Sequence, residues 1–131
     1  MSKPVILCVD NERVILDSLK IQIKQAFDNQ YLYEAAESAD EAIEIIAELQ
    51  SEDTPILVIV SDWLIPGIKG DEFLMQVHQK FPNIVKIMLT GQADMEAVDK
   101  ARQFANLYVC LPKPWNANEL IEKIQSGIAK L

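Results

Sequence analysis

With 131 residues, half of them apolar, the chain has the size and composition of one globular domain with a real core. Its formal charge of -8, from 20 acids against 12 bases, repels phosphate backbones and argues against direct nucleic-acid binding. No apolar run approaches the roughly 18 residues of a membrane helix, and the opening MSKPVILCVD meets an acid too early for a signal peptide, so a cytoplasmic domain is expected.

The first run, VILCV (5–9), is short, branched and unbroken, as a strand covered on both faces requires, and it ends in Asp10-Asn11-Glu12. Ile15, Leu19, Ile23 and Phe27 then fall four apart, on one face of a helix. YLYEAA (31–36) is more polar and fits an edge strand. SADE, from Ser38 to Glu41, places a capping hydroxyl three residues before a Glu and marks the next helix start. ILVIV (56–60) is again a buried-strand run, and it leads to a single carboxylate, Asp62. Phe73, Val77 and Phe81 give the next helical face; His78, in the same helix with polar neighbours Gln76 and Gln79, reads as a surface histidine. IVKIMLT (84–90) closes on Thr90, and LYVCL (107–111) is followed by Pro112-Lys113-Pro114. NANE, from Asn116 to Glu119, caps a last helix faced by Leu120, Ile124 and Ile128. Pro55, Pro66, Pro82 and Pro114 all fall at junctions, and no connection is long enough to be a linker. Cys8 and Cys110 lie inside apolar runs without metal-type spacing and read as core thiols of a reducing compartment. Trp63 and Trp115 read as packing residues.

Strand and helix alternating five times predict one α/β domain over residues 1–131, with a parallel sheet covered by helices on both faces. Such sheets bind ligands beyond the carboxyl ends of their strands. Asp10, Asn11 and Glu12, then Asp62, Thr90 and Lys113, all fall at those ends. Carboxylates within about 4 Å repel by roughly 4 kcal/mol per pair at an effective dielectric of 20, so the cluster requires cations. Lysine and a hard divalent ion such as Mg2+, which takes oxygen ligands and keeps several waters, meet that requirement. A carboxylate held beside both is poised to attack phosphorus, which makes Asp62 the candidate nucleophile.

VILCVDNE, IVSDWLIPGIKGDEF, IMLTGQAD and PKPW, in this order and at these distances, resemble the receiver domains of bacterial two-component response regulators. The resemblance covers nearly the whole chain. It implies a flavodoxin-like, doubly wound, five-stranded parallel sheet of order 2-1-3-4-5 with five helices. It also implies a phosphoryl group taken from the histidine of a sensor kinase or phosphotransfer protein onto Asp62. Asp10, position 11 and the Leu64 carbonyl would hold Mg2+ with Asp62, Lys113 would pair with the phosphoryl group, and Thr90 would move toward it as the switch. A cis bond before Pro114 belongs to the same resemblance. So does a changing face made of residues 94–105, 107–111 and 116–131, open to an output domain or a second copy. The chain would then be a stand-alone regulator or the N-terminal part of a longer one, catalysing only its own phosphorylation and dephosphorylation.

Four positions depart from or qualify that pattern. Receivers usually carry a second acid where this chain has Asn11, so weaker Mg2+ binding is expected, with phosphorylation at raised Mg2+. An aromatic switch residue is often found where this chain has Cys110; Tyr108, two residues earlier and taken to share its strand face, is the candidate substitute. Leu64 and Gln92 occupy the positions that handle the hydrolytic water, and an apolar Leu64 predicts slow self-dephosphorylation. The alternatives are a receiver-like protein-binding module that signals without phosphorylation, kept open by Asn11, and an α/β enzyme or nucleotide binder. VDNERV has no glycines, and neither a P-loop nor a G-x-G-x-x-G run is present, which disfavours the latter.

Overall fold

The computed structural model describes residues 3–91 and 95–131. Five strands, β1 (Val5–Val9), β2 (Leu32–Ala36), β3 (Ile56–Asp62), β4 (Val85–Thr90) and β5 (Val109–Pro112), alternate with five helices. These are α1 (Arg13–Phe27), α2 (Ala39–Ser51), α3 (Gly70–Lys80), α4 (Met95–Phe104) and α5 (Ala117–Ala129). The sheet is parallel throughout, in the order β2-β1-β3-β4-β5, so the expected doubly wound arrangement is the one found. No helix among the described residues is long and apolar enough to cross a membrane.

Alternation along the central strands divides the core in two. Ile6, Cys8, Val58, Val60, Ile87 and Leu89 face α1 and α5, while Leu7, Val9, Ile59 and Met88 face α2, α3 and α4. Burial pushes the Cys8 thiol up to about 12, the behaviour of an inert core residue. Both predicted caps form: Glu41 N–H donates to Ser38 Oγ at 3.1 Å, and Glu119 N–H to Asn116 Oδ1 at 3.0 Å. The inward face of α1 is wider than its four-residue spacing implies. Leu16 is buried beside Leu19, Ile23 and Phe27, and Ile15 is only half-buried.

At two positions the structure departs from expectation. His78 is half-buried rather than at the surface, because this side of α3 turns toward β4; burial and the nearby Lys86 charge both hold its imidazole below the usual histidine range. Tyr108 and Cys110 do not share a face. The chain enters β5 only at Val109, and Tyr108 packs on the α1–α5 side, whereas Cys110 packs on the α2–α4 side. The period of two that places residues i and i+2 together holds only inside a regular strand.

Candidate functional site: an acid–lysine cluster at the carboxyl edge

β1 and β3 are neighbours, so the residues that end them are brought side by side at the carboxyl edge of the sheet. Asp10 follows β1 directly and is fully buried; its backbone N–H is tied to the Ala36 carbonyl at 3.0 Å, and its Oδ1 accepts the Glu12 N–H at 2.8 Å. Asp62 is the last residue of β3 and is also buried. Lys113 follows β5 and reaches back over two strands, with Nζ 3.0 Å from Asp10 Oδ2 and 3.3 Å from Asp62 Oδ2. Its backbone N–H donates to the Thr90 carbonyl at 3.0 Å, and the Lys113–Pro114 bond is cis. A second tie holds the same loop to α1: the Trp115 indole donates to Gln22 Oε1 at 2.8 Å.

The electrostatics follow from that geometry. Burial and the Asp10 charge raise the Asp62 carboxyl above the ordinary aspartate value, against the opposing pull of Lys113. Burial alone would lower the Lys113 ammonium, but its hydrogen bonds and charge contacts with Asp10 and Asp62 outweigh it and raise the group. The ammonium is therefore firmly charged, and it neutralises part of a carboxylate pair that sits almost out of solvent.

The other predicted positions fall as follows. Thr90 ends β4 next to this cluster and is half-buried. Asn11 is exposed beyond β1, and Leu64, 42% exposed, lies in the loop after β3. Cys110 is half-buried. Tyr108 is fastened to α5, with its hydroxyl 2.6 Å from Ser126 Oγ and the Lys130 ammonium 5.1 Å from its ring centroid. Gln92 lies outside the described residues, as does Asp94 at the start of the predicted fourth helix. Among the described residues no cluster of three or more His, Cys, Asp or Glu side chains is placed to hold a metal. Asp10 and Asp62, with the Asn11 amide and the Leu64 carbonyl, would offer oxygen donors, the chemistry suited to a hard ion that keeps part of its water shell.

Sequence reasoning passed over two residues. Asp71, in the first turn of α3, is buried and accepts a hydrogen bond from the Trp63 indole at 3.0 Å. Lys86, inside β4, is 1% exposed. The signal for Lys86 was a lone cation within IVKIMLT; for Asp71 it was an acid three residues before the core position Leu74.

A doubly wound sheet with two acids and a lysine gathered at its carboxyl edge defines a class of α/β signalling domain. Residues 6–125 match the response regulator receiver domain, and the chain belongs to that family. Over 123 residues it is 30% identical to the hydrogenase transcriptional regulatory protein HoxA of Cupriavidus necator; the match takes in 94% of this chain but 24% of that protein. Among solved structures it resembles a CheY-like receiver domain protein from Methanospirillum hungatei, with 31% identity and a TM-score of 0.84 over 98% of this chain and 96% of that one. It also resembles the beryllofluoride-activated NtrC4 receiver domain dimer, with 26% identity and a TM-score of 0.82 over 96% and 97% of the two chains.

Proposed function

We propose that this receiver accepts a phosphoryl group on Asp62 from the histidine of a cytoplasmic sensor kinase or phosphotransfer protein. The observation that carries the reading is one ammonium, Lys113, held within 3.3 Å of both carboxylates at the sheet edge. An Asp62 carboxylate oxygen attacks phosphorus, the P–N bond breaks, and its electron pair leaves with the imidazole nitrogen. Lys113 stays in place to meet the charge on the incoming phosphoryl oxygens, and Asp10 holds Lys113 in position. Asp10, Asp62, Asn11 and the Leu64 carbonyl would hold Mg2+, which supplies further neutralisation of those oxygens.

The signal then passes from Thr90 to the face formed by α4, β5 and α5, where an output domain or a second copy binds. The dimer of the activated NtrC4 receiver is a precedent for the second case. Cys110 offers a small side chain on the α4 side of β5, and Tyr108 is bound to α5, so Thr90 acts here without a swinging aromatic ring between those two helices. Neither nucleic acid nor membrane is a direct partner.

Incubation with acetyl phosphate and Mg2+ tests the reading by intact mass. The wild type is expected to gain one phosphoryl group and Asp62→Asn none; an unmodified wild type, or an adduct retained in the variant, refutes it. Asn11 favours the alternative of a phosphorylation-independent module, because an amide brings no charge to the ion. Asn11→Asp is expected to tighten Mg2+ binding about tenfold and to lower the Mg2+ needed for the adduct. Equal affinities in a metal titration would remove Asn11 from the ligand set.

A further inference from the structure

The connection between β3 and α3 carries the Leu64 carbonyl, and its two ends are pinned together. Gly70 N–H donates to the Trp63 carbonyl at 2.7 Å. A Cβ on Gly70 would lie 2.5 Å from the Asp62 carbonyl oxygen and 2.8 Å from Trp63 Cα, so the start of the helix rests directly on the end of the strand. Across this contact the Trp63 indole N–H donates to Asp71 Oδ1 at 3.0 Å, and the Lys69 ammonium lies 5.3 Å from the ring centroid. An acid in the first turn of a helix is ordinarily solvated and answers only to the helix dipole. Glu72 fits that description, being exposed; Asp71, 5% exposed and bonded to the indole, does not.

We infer that Trp63 and Asp71 form a latch that aims the Leu64 carbonyl at the metal ion, an inference that rests on the Mg2+-dependent reading above. Leu64 follows Trp63 directly, so anchoring the indole restricts the direction of the next peptide group. Groups that orient ligands without touching the ion are as much a part of a metal site as the ligands. Trp63 and Asp71 are positioning residues in this sense. The hydrogen bond, rather than the Asp71 charge, holds the loop, so the amide oxygen of an asparagine can replace the carboxylate.

The test is Mg2+ titration by amide NMR shifts on the 131-residue chain, alongside thermal unfolding. Asp71→Leu and Trp63→Phe are each expected to weaken Mg2+ binding about tenfold. The double variant should lose no more than either single one, as coupled partners do. Asp71→Asn should stay within about twofold of the wild type, because its acceptor remains. Trp63→Phe keeps an aromatic ring at this position and covers the case in which Asp71→Leu fails to fold. Unchanged Mg2+ affinity in Trp63→Phe, or a loss in Asp71→Asn equal to that of Asp71→Leu, overturns the latch. If the wild type nevertheless binds Mg2+ and takes the phosphoryl group, the functional reading survives that result. A wild type that does neither overturns both.

Discussion

Replacing Lys113 with methionine is expected to slow phosphorylation of Asp62 by about 10²–10³, the usual consequence of removing one preorganised group aimed at developing charge. The same replacement should leave Mg2+ affinity intact or raise it. These opposite directions follow from one placement: the ammonium sits 3.0 Å from Asp10 Oδ2 and 3.3 Å from Asp62 Oδ2, where it helps the incoming anion but also occupies carboxylate oxygens that a metal would use. Each such pair is worth about 5 kcal/mol at an effective dielectric of 20, so its loss is felt by both acids. Asp62, already raised by burial and by Asp10, loses the group that pulls it down, and the pH at which it ionises moves further up. The rate profile of the variant should therefore rise at higher pH than that of the wild type. A time course of intact mass with acetyl phosphate, repeated across pH, together with a Mg2+ titration, checks all three. A rate within about threefold of the wild type, or an affinity that falls along with the rate, contradicts the assignment of Lys113.

The parts of this site that were legible in the sequence are those set by chain order alone. Asp10 and Asp62 each close an apolar run, and a parallel sheet must carry such residues to one edge. Lys113 was legible for the same reason, since it follows the last strand. Contacts that depend on how a loop folds back were not. Trp63 and Asp71 are eight residues apart across a connection whose path rests on the close approach of Gly70 to Asp62, and no periodicity encodes that approach. Tyr108 was misplaced because it lies one residue before β5, where strand alternation does not yet hold. Its bond to Ser126 then fixes it against α5, a partner 18 residues away. Lys86 was visible as a letter, but its burial follows from the position of β4 between β3 and β5 beneath α3.

That buried lysine carries the last expectation. Lys86 is paired with Ile59 in the sheet, and its Nζ donates to the Ile84 carbonyl at 2.7 Å and the Pro82 carbonyl at 3.5 Å. No carboxylate among the described residues pairs with it. Burial pulls the ammonium down from 10.5 to about 8, a difference corresponding to about 3 kcal/mol of unfavourable charge burial at neutral pH. Lys86→Met should remove that cost while leaving two carbonyls without their donor. A net gain of about 1–2 kcal/mol, seen as a higher unfolding temperature, is expected. The pH dependence separates this cause from simple repacking. Below about 8 the folded and unfolded chains both hold the proton, and the full penalty applies. Between about 8 and 10.5 the folded chain gives it up first, so the unfolded state binds more protons and wild-type stability gains from this group as pH rises. The variant lacks that term, so its advantage should shrink over that window and reverse above it, where only the lost hydrogen bonds to the two carbonyls remain. His78 supplies an independent readout: with the Lys86 charge gone, its imidazole should titrate at higher pH by NMR, although burial still holds it down. Thermal unfolding of both proteins from pH 7 to pH 10.5 decides the matter. An advantage that stays constant across the range would mean that the ammonium is solvated in the folded chain, and the electrostatic account of this position would fail.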